Sequence, residues 1–129
     1  MDETYGGAMK YLIMMQSNPS FQAIWDRMSD EQLRGLGLRH RALHQELVES
    51  GELVAAEGMD DVALTRRVSV RDGQAVVSDG PMAEAKEHLA GFYLVECSAQ
   101  RAVEIAARTP DAEWSEVLVR PVLDLSAHL

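Results

Sequence analysis

Residues 79–96 read Asp79-Gly80-Pro81-Met82-Ala83-Glu84-Ala85-Lys86-Glu87-His88-Leu89-Ala90-Gly91-Phe92-Tyr93-Leu94-Val95-Glu96. A rigid turn opens the stretch, a charged run comes next, and an apolar segment of strand length closes it. Gly80 can take backbone angles closed to other residues, while Pro81 fixes its own φ and restricts the residue before it. Pro81 also suits the first position of a helical turn, where its missing N–H would have gone unpaired anyway. Gly91 to Glu96 then reads as a strand entering the core.

On the N-terminal side of this stretch, Leu64 to Arg71 and Gln74 to Ser78 flank Asp72-Gly73, a strong hairpin signal. On its C-terminal side, Ser98 can cap a helix running to about Arg108, with Ala102, Val103, Ala106 and Ala107 on its inner face. Thr109-Pro110 ends that helix. Ser115 to Val122 reads as the last strand, and Pro121 near its end points to a sheet edge.

At the start of the chain, Tyr11-Leu12-Ile13-Met14-Met15 is the apolar centre of a strand over Lys10 to Gln16, read as buried on both faces. Ser17 to Met28, with Asn18, Pro19 and Ser20, reads as a loop anchored by Phe21, Ile24 and Trp25. Ser29 and Gln32 form a capping box, with Asp30 and Glu31 in the first turn of the next helix. Leu33, Leu36, Leu43, Leu47 and Val48 give that helix an apolar stripe, and Ser50-Gly51 stops it. Gly35 and Gly37 weaken it by about 1 kcal/mol each relative to Ala, so close packing against the sheet is expected to compensate. Leu53 to Glu57 reads as the next strand.

With the hairpin set aside, the order is strand, helix, strand, strand, helix, strand. That is a ferredoxin-like α+β fold, βαββαβ with an inserted β-hairpin, and both helices lie on one face of an antiparallel sheet. The other face then needs cover, and a second copy of the sheet supplies it most economically. A homodimer is therefore expected.

A chain of 129 residues is one domain on size. Its net charge of −9 disfavours nucleic acid and anionic membranes as partners, although Arg66, Arg67 and Arg71 leave room for a small anion. The single cysteine, Cys97, excludes an internal disulfide and suits a reducing cytosol. No apolar run has the length of a membrane span, and Met1 to Ala8 lacks the pattern of a signal peptide. A cytoplasmic location is the expectation.

The segments Asp79-Gly80-Pro81-Met82-Ala83-Glu84-Ala85-Lys86-Glu87 and Gly91-Phe92-Tyr93-Leu94-Val95 resemble the signature of the YCII-related proteins, in the branch named after its Asp-Gly-Pro-Phe motif. The resemblance runs from Met9-Lys10-Tyr11-Leu12 through Ser50-Gly51-Glu52-Leu53-Val54 to Val119-Arg120-Pro121-Val122. Two positions depart from it: Met82 stands where the family usually has Phe, and Leu118 where it often has Glu. The resemblance implies a dimeric α/β barrel with two sheets face to face. It also implies a domain over residues 9–125, with residues 1–8 as a flexible extension.

His40 and His44 are four apart and share one helix face, read as the apolar one. A histidine oriented by a carboxylate can move protons near neutral pH. The resemblance supports His40 in particular, as the histidine that the wider family places ahead of its Gly-ended helix. The alternative is a pair of buried neutral rings bonded to backbone. Asp79, at a strand end before the rigid turn, is the expected carboxylate partner of His40, or else it simply ties down the amides of the turn. His40 and Asp79 are thus the catalytic candidates. His44, Lys86, Glu87 and Tyr93 are the ligand-binding candidates, with a solvated face as the other reading of the run from Glu84 to His88.

His40-x-x-x-His44 has a zinc-compatible spacing, but Arg41 replaces the glutamate of a metalloprotease helix, so no metal is expected. Cys97 reads as a buried thiol, and Trp114 as packing or cleft lining. No phosphate loop, dinucleotide fingerprint or serine elbow occurs, and no cofactor is expected.

Two functions compete. One is a cofactor-independent acid–base enzyme, an isomerase or lyase holding a small organic molecule in a dimer cavity. The other is a non-catalytic regulatory partner, since members of the resembled family often accompany alternative sigma factors. An enzyme needs a closed pocket holding its acid–base residues, whereas a partner needs an exposed apolar patch.

Overall fold

The side chains of the first strand, β1 (Met9–Ser17), alternate: Tyr11, Ile13 and Met15 are buried, while Leu12 and Met14 between them are only partly covered. In a strand successive side chains point to opposite faces, so one face of β1 lies in the core and the other does not. The expectation of a strand buried on both faces is corrected to that extent within the single chain. The computed structural model describes residues 9–82 and 85–128, and the extension over residues 1–8 lies outside them.

After β1 come α1 (Pro19–Asp26), α2 (Asp30–Ser50), β2 (Leu53–Gly58), β3 (Arg66–Arg71), β4 (Gln74–Asp79), β5 (His88–Cys97), α3 (Ala99–Arg108) and β6 (Val117–Pro121). The main sheet is ordered β2-β5-β1-β6 and its pairs are all antiparallel; β3 and β4 form a separate two-stranded sheet. This is the ferredoxin-like α+β arrangement with an inserted β-hairpin between β2 and β5. Pro121 ends the edge strand β6, where a missing N–H leaves no gap in the sheet.

Helix α1 replaces the expected loop. Its turn residues build a helix start: the Asn18 side chain accepts a hydrogen bond from the Phe21 N–H at 2.8 Å, and Pro19 stands in the first turn. At α2 the capping box forms as read, with the Ser29 hydroxyl accepting from the Gln32 N–H at 3.1 Å and the Gln32 side chain accepting from the Ser29 N–H at 2.9 Å. Gly51 closes the helix in the left-handed conformation.

Leu36, Leu43 and Leu47 form the buried stripe of α2, whereas Val48 is exposed. A Cβ built on Gly35 or Gly37 would meet nothing within 4 Å. The expected close packing at these glycines is therefore not what holds α2. Cross-links to the α3 end of the molecule help: Arg101 donates to both carboxylate oxygens of Glu52, Arg108 pairs with Glu46, and Arg39 pairs with Glu113.

Helix α3 presents Ala102, Ile105 and Ala106 to the sheet, and Val103 and Ala107 turn outward, contrary to the expected inner face. The 102, 105, 106, 109 spacing keeps one stripe inward, and the Thr109 hydroxyl donates to the Ala106 carbonyl at 2.8 Å in the interior. Ile13, Leu47, Val95 and Ile105 are fully buried, each stabilising the fold by roughly 1.5–3 kcal/mol. Among the described residues no helix is long and apolar enough to cross a membrane.

Candidate functional site

His40 lies on the inner face of α2, four residues after Leu36 and three before Leu43, so the apolar stripe aims the imidazole toward the sheet. Tyr93, at the middle of β5, faces it from the core side of the sheet. The Tyr93 hydroxyl lies 2.8 Å from His40 Nδ1, and Asp111 Oδ1 lies 2.7 Å from His40 Nε2. The two rings stack at 6.0 Å. Asp111 belongs to a 3-10 turn, Pro110–Glu113, set directly after α3 by the fixed φ of Pro110.

A carboxylate only accepts hydrogen bonds, so Nε2 carries a proton toward Asp111 and Nδ1 accepts from the Tyr93 O–H. The side chains of His40 and Asp111 are 32% and 13% exposed, so the pair is shielded yet reachable. Burial, with the Asp111 charge second, pushes the Tyr93 phenol up to about 12. It therefore stays a neutral donor near neutral pH.

The Tyr93 hydroxyl also lies 3.4 Å from the His40 carbonyl oxygen. If Nδ1 takes a second proton, it donates to the phenol oxygen, and the phenol proton turns to that carbonyl. The cluster thus has two hydrogen-bonded states that differ by one proton.

A cavity of about 250 Å³ opens beside this cluster, lined by Met15, His40, Gly91, Tyr93 and Asp111 among others. Its floor needs glycine at 91, because a Cβ there would stand 3.1 Å from the Glu57 carbonyl oxygen and 3.4 Å from Met15 Cε. The irregular register of β1 beside Met15, opposite Gly91, falls at the same place. Larger depressions of about 520 and 530 Å³ lie around Met59 to Val62, and neither is lined by His40, Tyr93 or Asp111.

Of the residues singled out from the sequence, His40 and Tyr93 come together. The expected pairing of His40 with Asp79 is corrected: Asp111 occupies that place. Asp79 ends β4, which pairs only with β3, and the hairpin holds its carboxylate 90% exposed, 3.9 Å from Arg66 Nε. His44 is exposed, one turn along α2 and rotated off the buried stripe, which corrects its expected inward face. Lys86 and Glu87 are exposed; Glu87 borders the 530 Å³ depression with Pro81 and His88, away from His40. Glu84 lies outside the described residues.

Asp111 carries no motif in the sequence, and its only local trace is a carboxylate just after the helix-ending Thr109-Pro110. Cys97 is buried, which together with the nearby Glu52 charge pushes its thiol up to about 11. Among the described residues no three His, Cys, Asp or Glu side chains gather as a metal site would need.

The chain matches the model of the YCII-related domain over residues 9–126. It is also 37% identical over 93 residues to an uncharacterised protein of Rhizobium meliloti (strain 1021), across 70% of each chain.

Proposed function

The chain belongs to the YCII-related family, and from the site it carries we propose that it is a cofactor-independent acid–base enzyme acting on a small organic molecule. The Asp79-Gly80-Pro81-Met82 turn supports placing it in the Asp-Gly-Pro-Phe branch of that family. The observation that carries the catalytic reading is the chain of contacts from Tyr93 through both nitrogens of His40 to Asp111.

In this reading a substrate in the 250 Å³ cavity gives a proton to the phenol oxygen while the phenol's own proton passes to Nδ1. No tyrosinate forms, which suits a phenol whose ionisation is pushed up to about 12. The resulting imidazolium is held by the Asp111 carboxylate. Return of the proton to another substrate atom gives isomerisation, and loss of a leaving anion gives elimination.

The test is hydrogen–deuterium exchange, followed by NMR, into a panel of small carbonyl compounds and β-substituted acids in heavy water. The protein should catalyse exchange in at least one of them. Tyr93→Phe and His40→Ala should abolish it while the circular dichroism stays native. Exchange in none of the panel, or exchange undiminished in Tyr93→Phe, refutes the relay.

A further inference from the structure

Ala90 lines both the 250 Å³ cavity in front of His40 and the 520 Å³ depression beside Met59. The strand register explains why. Met15 pairs with Gly91 and Gln16 with Leu89, so the pairing with β1 passes over Ala90. A residue left out in this way bends its strand locally. The Ala90 carbonyl accepts from the Met59 N–H at 2.8 Å, which fixes the bend against the chain leaving β2. Ser17 continues the inward row of Tyr11, Ile13 and Met15 by the two-residue repeat of a strand, and it lines the larger hollow. Both hollows therefore open on the helix-bearing side of the sheet, next to each other. A ligand reacting at Tyr93 has room to extend into the second.

The second hollow differs in chemistry from the first. Helix α1 gives it an aromatic wall: Phe21 is buried, Trp25 is 42% exposed, and their ring centroids lie 6.2 Å apart with 31° between the planes. The two are four residues apart on one helix face, so the buried ring braces the exposed indole. The loop after β2 adds Asp60 and Asp61 to the lining. Asp60 accepts from the Asp61 N–H at 2.6 Å, and Asp61 accepts from the Ala63 N–H at 2.9 Å. Those bonds hold the carboxylates in place without neutralising them. Among the described residues neither forms an ion pair, and no lysine or arginine lines either hollow. His88 is the basic side chain of the larger one.

An aromatic face attracts a cation through its quadrupole, and a nearby carboxylate adds its charge; an uncharged or anionic group gains neither. The net charge of −9 raises the local concentration of cations further. A hollow of about 520 Å³ has the size of a small organic ligand, and among the described residues no three metal-ligating side chains gather in it. We propose, on the acid–base reading of the His40 site, that its substrate carries an organic ammonium group. The Trp25 indole and the Asp60 and Asp61 carboxylates hold that group in the larger hollow, while the reacting end enters the smaller. Trp25 is then a specificity-determining residue, positioned by Phe21.

The test titrates two probes into the full chain: choline, and dimethylbutanol in which tert-butyl replaces the trimethylammonium group. It is run at about pH 8, where imidazoles are generally neutral. The readouts are the indole N–H resonance of Trp25, told from that of Trp114 by a Trp114→Phe variant, and the backbone amides of Asp60 and Asp61. Choline should shift them and bind at least about fivefold more tightly than its isostere. Trp25→Leu should bring that ratio close to one, and Trp25→Phe, which keeps an aromatic face, should retain part of it. The double variant Asp60→Asn, Asp61→Asn should also lower the ratio, since asparagine keeps the local hydrogen bonds and loses the charge. Native circular dichroism in each variant completes the control. Equal affinity of the two probes for the wild type overturns the proposal, as does a ratio unchanged in Trp25→Leu or in the double variant.

Two methyl ketones, alike except that one ends in trimethylammonium and the other in tert-butyl, link the hollow to the chemistry. Deuterium exchange should favour the charged ketone in kcat/KM by about fivefold or more, and Trp25→Leu should remove the preference. Exchange of both ketones without preference overturns the proposal. Exchange of neither refutes the relay at His40, and the choline ratio then decides the cation site by itself.

Discussion

Both nitrogens of His40 are occupied, and the consequence falls on Tyr93. Its phenol is pushed up to about 12 from an ordinary value near 10, first by burial and then by the Asp111 charge. Asp111→Asn removes the second cause, so the phenol should ionise at lower pH, read as tyrosinate absorbance against a Tyr93→Phe blank. The sign for stability comes from linkage: a group whose folded pKa is raised contributes stability below its unfolded value, and that contribution is lost as pH rises through the folded one. Wild type should therefore lose stability between about pH 10 and pH 12 faster than Tyr93→Phe does. Identical alkaline unfolding profiles for the two proteins would mean that Tyr93 titrates as if exposed, and the shielded cluster would lose its basis.

At the scale of elements, α2 carries the site and is not built to full strength. Gly35 and Gly37 sit in its interior at positions where an added Cβ meets open space. Alanine there reduces the freedom of the unfolded chain and clashes with nothing in the folded one. Gly35→Ala and Gly37→Ala should each stabilise the protein by about 0.4–1 kcal/mol in urea unfolding. A loss of stability at either would show that the glycine serves a contact outside the single chain. Gly91 makes the opposite case, because a Cβ there presses on the backbone carbonyl of Glu57 at 3.1 Å. The two kinds of glycine are indistinguishable by residue type, and only the surroundings separate them.

For the whole molecule, the two faces of the main sheet should answer differently to substitution. Ile13 is fully buried beneath the helices, so Ile13→Ala should cost about 2–5 kcal/mol and leave the mass in solution unchanged. Leu94 lies on the open face, so Leu94→Lys should cost far less than Ile13→Ala in the same unfolding experiment, by about 0.5 kcal/mol or less. Equal loss of stability at both positions would argue that the open face is covered from within the chain. The order of the elements, the capping box at Ser29, the stop at Gly51 and the tight turn at Asp72-Gly73 were all legible in the linear chain. Such signals act within about four residues, so a local reading recovers them. That reading failed at Asn18-Pro19 because the same residue types open a helix and fill a loop, and the residues after them decide between the two. His40 and Asp111 are 71 residues apart, and no periodicity or spacing links them. Their contact exists because α2 and the turn after α3 meet over the same end of the sheet, while the hairpin carries Asp79 away from it. Side-chain pairing over that separation is set by how the elements pack, which is a property of the folded chain and of no segment within it.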